Sequence, residues 1–329
     1  MTTGDDDGDR DGSTTPTAPR PWGLVVWTAI ACLGFAVAAP PPEPPAMTQE
    51  EIAAIQRGLD RIVESTRSWQ VERGDLGLPW ERADGHLAIV IDDVGRELHL
   101  FEQLLDLRFA LSFSVLPGSV YAAGVQLRLV ADRRRPREIL LHLPMEPQDT
   151  AQMHAGDEAT EAFLRHDDPP DVLRAKLEAA LERVPMAVGT NNHMGSRLTP
   201  DCAAMAAIMP VVRERGLFFL DSRTIATSCA QRAADEAGVP NLARQVFLDD
   251  DPAPEAIAAQ LERAATLARS GPVVAIGHPS PAMVDVLRRR LPELHAAGIG
   301  VYPVSTLLGR GAPGGGGAAT GSGDPEAAR

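Results

Sequence analysis

Between residues 84 and 308, short apolar runs alternate with longer amphipathic ones, and that alternation most constrains what the chain can fold into. The short runs lie at 87–91, 110–115, 138–143, 187–190, 217–220, 243–248, 273–276 and 300–304. The longer ones lie at 97–107, 124–134, 171–183, 200–215, 230–237, 253–269 and 281–297. Short runs rich in Val, Ile and Leu are how strands buried on both faces are written, and a helix between each pair makes the strands parallel. The pattern therefore predicts an α/β domain whose parallel sheet is either a closed barrel or open and doubly wound. Seven or eight units in this length favour the barrel, and no Gly-rich phosphate loop follows any strand to support the open alternative. A composition of 44% hydrophobic but only 4% aromatic residues suits one sizeable Ala/Leu/Val-rich core.

The flanks read differently. Residues 1–21 are polar and Asp/Gly/Thr/Pro-rich and are expected to be a disordered tail. Residues 22–39 carry no charge over 18 positions, with Trp22 and Trp27 near one end and Ala36-Val37-Ala38 near the other. That segment is expected to be either a membrane anchor or a cleaved signal peptide. Under both readings Arg10 and Arg20 keep the short tail inside and the rest is exported, to the periplasm or cell envelope, anchored to the inner membrane if uncleaved. Residues 40–83 form a Pro-rich spacer followed by a lone helix over 48–73, opened by a Thr48/Glu51 capping box and patterned by Ile52, Ile55, Leu59, Ile62 and Val63. Residues 309–329 are Gly/Ala-rich and expected to be a disordered tail.

A net charge of −14 argues against nucleic acid as a partner, which needs clustered cations. The run Arg133-Arg134-Arg135-Pro136-Arg137 reads as a solvated helix end. Cys32 lies in the apolar segment, so Cys202 and Cys229 remain in the exported part, free to pair or to stay as thiols. No Cys spacing of a zinc finger is present.

Polar residues recur where the strands end. Asp92 and Asp93 close the first; His142 ends the third; Asn191, Asn192 and His193 follow the fourth; Asp221, Ser222, Arg223 and Thr224 the fifth; His278 the seventh. In a barrel those ends meet at one mouth, where barrel enzymes keep their sites. Taken singly, each has a plain structural reading as a cap, a turn or a hydrogen-bonded histidine. Together, an Asp and two His are a usual Zn²⁺ ligand set, with a second carboxylate and a third His left for proton transfer. His86, His99, His154, His166 and His295 fall away from these ends and read as surface residues. Asp251 before Pro252 reads as a helix entrance, whereas Asp249 and Asp250 reach the same mouth. Ser196, Ser222 and Ser280 lie near histidines, but no G-x-S-x-G elbow supports a serine hydrolase.

Five motifs, in order, are Ile91-Asp92-Asp93-Val94-Gly95, His142-Leu143-Pro144-Met145-Glu146-Pro147, Asn191-Asn192-His193-Met194-Gly195-Ser196, Phe219-Leu220-Asp221-Ser222-Arg223-Thr224 and Gly277-His278-Pro279. Together they resemble the divergent polysaccharide deacetylase family over residues 84–308. The resemblance implies a distorted (β/α)7-type barrel with parallel strands, one divalent metal, usually zinc, and removal of acetyl groups from a polysaccharide or peptidoglycan-like glycan. It implies Asp92 as general base, Asp93 as metal ligand, His142 as ligand fifty residues beyond Asp92, and His278 as general acid. The wider group of polysaccharide deacetylases has a second ligand His four residues after the first, where this chain has Glu146. Either Glu146 substitutes or His193 supplies the missing imidazole, and His193 is preferred. Asn192, Asp221, Arg223 and Glu146 are expected to support the substrate or orient a ligand. The departure leaves a second reading open, a catalytically inactive barrel that binds a glycan or an envelope protein.

Overall fold

The structure, a computed structural model, describes residues 75–131, 135, 137–153 and 160–310. The expected tail 1–21, the apolar segment 22–39, the helix over 48–73, His154 and the tail beyond 310 lie outside the described residues. Among the described residues, no helix is long and apolar enough to cross a membrane.

Among the described residues, nine strands form one sheet in which every neighbouring pair is parallel. They are β1 (Gly85–Val94), β2 (Ser112–Val115), β3 (Glu138–Met145), β4 (Gly189–Met194), β5 (Phe218–Asp221), β6 (Asn241–Ala243), β7 (Val246–Phe247), β8 (Val273–Gly277) and β9 (Ile299–Val301). The helices between them are α1 (His99–Leu105), α2 (Ala122–Ala131), α3 (Pro170–Arg183), α4 (Cys202–Glu214), α5 (Ala230–Ala237), α6 (Pro254–Ala268) and α7 (Pro281–Ala296). Their starts follow local rules. Asp201 caps α4 by accepting from the Ala203 and Ala204 N–H groups, and Ser280 caps α7 by accepting from Met283 N–H. Prolines open α3, α6 and α7, where a missing N–H costs nothing.

The strand order is β6-β5-β4-β3-β2-β1-β8-β7, with β9 also on β1. Its two edge strands are separated in the chain by only Arg244 and Gln245. Strands so close in sequence can stand at opposite ends of the order only if the sheet curls until its edges meet. The chain itself thus closes the barrel where no strand ladder does. The run expected as one strand over 243–248 is therefore two: its first part pairs with β5 and its second with β8. At the break, Arg244 N–H donates to Asp221 O of β5 at 3.0 Å, and the next residue, Gln245, bonds to β8. The Gln245 N–H donates to Val274 O at 2.9 Å and its side-chain Oε1 accepts from Val274 N–H at 2.6 Å.

Other boundaries also move. The strand expected at 187–190 continues to Met194, because pairing with β3 extends to Met145↔Met194 after the apolar run has ended. The first strand likewise runs to Val94, so both aspartates lie within it. The strand expected at 300–304 stops at Val301, before Pro303 and a 3₁₀ turn at Val304–Leu307. The helix expected from 253 begins at Pro254, although the Asp251 carboxylate still accepts from Ala253 N–H. The arginine run is not simply a solvated end: Arg135 and Arg137 are buried, and Arg137 makes a two-pronged pair with Asp75 at 2.5 and 2.8 Å.

The core has two parts, separated by strand alternation. Leu87, Ile89 and Ile91 of β1 pack outward with the helix residues, while Ala88 and Val90 point inward among Leu140, Phe218, Leu220, Val274 and Ile276. Val304 and Leu307 belong to that inner cluster. We expect Gln245→Ala, which orphans the Val274 N–H at the seam, to lower stability by about 1–3 kcal/mol. A denaturation midpoint unchanged from wild type would contradict this account of the closure.

Candidate active site

The inward series on each strand leads to the polar residues. On β1 it runs Ala88, Val90, Asp92; on β3 Leu140, His142; on β8 Val274, Ile276 and then His278. Alternation alone would turn Asp93 to the opposite face from Asp92. It does not, because Asp93 takes a left-handed backbone (φ 56°) where the register with β2 shifts between Ile91 and Val94. Both carboxylates therefore reach the same imidazole: His142 Nε2 lies 3.7 Å from Asp92 Oδ2 and 3.2 Å from Asp93 Oδ1. Among the described residues, the non-glycine positions with positive φ are Asp93, Met194 and Arg223, and all three line one cavity. Strained backbone of this kind costs stability and gathers where function requires it.

Three donor atoms form a triangle. Asp93 Oδ1 to His193 Nδ1 is 2.9 Å, His193 Nδ1 to His142 Nε2 is 3.1 Å, and His142 Nε2 to Asp93 Oδ1 is 3.2 Å. Ligands bound at about 2.0–2.1 Å around a tetrahedral ion stand roughly 3.3 Å apart, so the triangle has nearly the dimensions of one face of such a site. Asp93, His142 and His193 are the residues that could hold a metal here. The ring of His142 is held from behind, with Nδ1 2.9 Å from Asn191 Oδ1, an arrangement that aims Nε2 at the triangle. Asn191 also donates to Asp92 Oδ1 at 2.9 Å and to Ser222 Oγ at 3.1 Å, and accepts from Ser114 Oγ.

The electrostatics separate the two acids. Burial raises the pKa of Asp92. Burial would raise Asp93 too, but His193 and His142 outweigh it and hold that carboxyl well below its ordinary value. Burial also lowers His193, favouring the neutral imidazole that a metal requires. For His142, the desolvation cost is exceeded by the pull of Asp92 and Asp93, and its pKa rises. Two carboxylates this deeply buried require a positive charge beside them, whether a proton on His142 or a cation in the triangle. At the cavity edge, His278 donates its backbone N–H to Asp249 Oδ2 at 2.8 Å, and its Nδ1 lies 3.3 Å from Asp249 Oδ1. Burial works against the charged ring, but Asp249 and then the acid pair prevail and raise His278 to about 9.

Residues 89–308 match the family of divergent polysaccharide deacetylases. This chain belongs to that family. Over 211 residues it is 39% identical to the uncharacterized protein YibQ of Escherichia coli, a match covering 64% of this chain and 63% of YibQ. Over 220 residues it is 36% identical to an uncharacterized protein of Haemophilus influenzae, covering 64% of this chain and 74% of that one. The fold is similar to that of the uncharacterized protein ATU2773 of Agrobacterium tumefaciens, with a TM-score of 0.61 at 24% identity over 70% of this chain and 93% of that one.

In this member of the family, the strand ends open on a cavity of about 900 Å³ lined by Asp92, Asp93, His142, His193 and His278, and also by Asn192 and Arg223. Asn192 has both ends of its amide engaged, accepting from Ser222 N–H at 2.8 Å and donating to Met194 O at 2.7 Å, so it ties β4 to the loop after β5. Asp221 and Glu146 do not line the cavity. Asp221 is buried and accepts from Arg223 N–H, which supports the left-handed turn. Glu146 accepts from the His166 backbone at 2.9 Å and pairs with the His166 ring and Arg197, apart from the donor triangle.

Not every remaining histidine is a plain surface residue. His86 lies in β1 and stacks on Trp80 at 3.8 Å, and His295 is half-buried against Phe109, whereas His166 is exposed as expected while its ring meets Glu146. Sequence reasoning missed Arg96, 3.5 Å from Asp93, and Arg244 at the barrel seam, both of which line the cavity. For Asn191 it offered a turn as the plain reading and gave it no role of its own. Arg96 lay in plain view one residue beyond the Asp-Asp-Val-Gly motif; Arg244 carried no signal, because the seam itself was not foreseen.

The stabilisation that His278 draws from Asp249 is full below its ordinary value of 6.5 and is lost as pH rises through about 9. Asp249→Asn should therefore move the His278 ring titration to lower pH, as read from its ring proton resonances by NMR. An unmoved titration would remove Asp249 as its cause.

Proposed function

We propose that this protein is a Zn²⁺-dependent hydrolase that removes acetyl groups from an envelope polysaccharide, a peptidoglycan-like glycan. The observation that carries the reading is the triangle of Asp93 Oδ1, His142 Nε2 and His193 Nδ1, with Asp92 and His278 lining the same cavity. Zinc held there would polarise the acetyl carbonyl and make a water acidic at neutral pH.

The chain's own groups divide the proton work. Asp92, made more basic by burial and steadied by the Asn191 amide, takes the proton of the attacking water. His278, protonated at neutral pH, gives a proton to the departing amine or alkoxide. Asn191 couples the base to the ligand His142, so a rotation of either is resisted by the other. The site is lined on two sides by the end of β4 with the loop after it and by the loop after β5, where Met194, Ser196 and Arg223 border the cavity. Export to the periplasm or envelope is supported by the Cys202–Cys229 disulfide, a bond that persists in oxidising compartments, and by the apolar segment 22–39. An uncleaved segment would hold the domain at the inner membrane.

Asp93→Ala and His142→Ala should each lose the bound zinc, measured by elemental mass spectrometry, together with acetate release from acetylated glycan. Asp92→Asn should keep the zinc and lower kcat by about 10²–10⁴. Undiminished zinc in both ligand variants would overturn the assignment.

A further inference from the structure

Two arginines of the cavity, Arg223 and Arg244, take no part in the proposed reaction, and the acids Glu97, Asp149 and Asp250 line it with them. Among the described residues, neither guanidinium makes a close ion pair with a carboxylate, although Asp221, Asp92 and Asp250 attract Arg244 from farther off. Arg223 donates to Gln231 Oε1 at 2.7 Å. Arg244 donates from Nε to Ser222 O at 2.6 Å and from Nη2 to Arg223 O at 2.7 Å, and its guanidinium lies over the Phe247 ring at 4.8 Å. A guanidinium carries five N–H groups, so these two bonds leave Arg244 three without an acceptor among the described residues.

This placement is hard to attribute to folding alone. An arginine that only strapped the loop after β5 to the seam would gain nothing from a position on the cavity wall. Burial is the largest influence on Arg244 and lowers its pKa, the mark of a cation drawn away from water. There a charge-assisted bond is strongest and a planar fork best matches a carboxylate. The backbone agrees: Arg223 is held at φ 48°, a conformation a long side chain rarely adopts, with the Asp221 carboxylate accepting its N–H.

We propose that Arg223 and Arg244 form an anion subsite, so that the substrate is an acidic glycan bearing a carboxylate on the acetylated sugar or its neighbour. The inference rests on the reading of the cavity as a deacetylase site and names the substrate class for it. Two sources of that carboxylate share the same chemistry, a uronic acid in the glycan backbone and a lactyl ether on the sugar.

Binding to the full-length zinc-loaded protein tests this by calorimetry with three probes. These are a neutral N-acetylglucosamine tetrasaccharide, a tetrasaccharide alternating N-acetylglucosamine with glucuronic acid, and the N-acetylglucosamine–N-acetylmuramic acid disaccharide. At least one acidic probe should bind about ten- to a hundredfold more tightly than the neutral one, with a margin that shrinks as salt is added. Arg244→Gln and Arg223→Gln should each erode the margin and the double variant abolish it, while Arg244→Lys retains part of it. Which acidic probe holds the margin identifies the source of the carboxylate. Equal binding of all three probes, or a margin that survives in the double variant, overturns the subsite and leaves Arg244 as a strap. Should Arg244→Gln fail to fold, Arg223→Gln and the salt dependence of the wild type still decide. Because these readings need no turnover, acidic preference without acetate release would fail the proposed reaction and not this subsite.

Discussion

A β-strand sends consecutive side chains to opposite faces, and the site depends on one place where that rule is suspended. Asp92 follows from alternation as the next inward residue after Ala88 and Val90. Asp93 reaches the same side only because its backbone turns left-handed within β1, at a register shift against β2. Without that turn, one carboxylate would face the helices and the His142–His193 pair would have no acid between them. The barrel meets this cost by pairing β1 with β2, β8 and β9, which makes it the most heavily supported strand of the sheet.

Charge follows from the same arrangement. Adjacent buried carboxylates repel unless positive partners are near, and the two acids here are unequally served. Asp93 is drawn down by His193 and His142 and bordered by Arg96; Asp92 is left with a raised pKa and an amide. Identical side chains thus acquire different proton affinities from a difference of one residue in position. Just beyond β8, the strand beside β1, His278 is pushed the other way by Asp249, so the cavity contains a strengthened base and a strengthened cation together.

How far the sequence reveals this depends on the range of the interaction. The strand ends, the order of the motifs and the gathering of Asp92, Asp93, His142, His193 and His278 follow from local apolar runs and parallel topology, and all five line the cavity. The split of 243–248 into β6 and β7 was hidden, since a continuous apolar run says nothing about which neighbour each half will meet. Arg244 was hidden with it. Glu146 and Asp221 stand in the right motifs but are engaged elsewhere, Glu146 by His166 and Arg197 and Asp221 by its own turn. Asn191 looks like a turn residue until β4 is seen to run beneath it, pairing it with His142.

The Cys202–Cys229 bond joins the entry of α4 to the residue before α5. The segments leading to those two helices are the ones that carry Ser196 and Arg223 along the cavity border. Two neighbouring lips of the mouth are thus riveted behind their tips, across a sequence separation of 27 residues. If the proposed glycan lies across that mouth, it meets on the riveted side a doorway whose two lips are covalently joined. Any adjustment to a bulkier or branched chain falls to the opposite jamb, formed by the segments after β1 and β8.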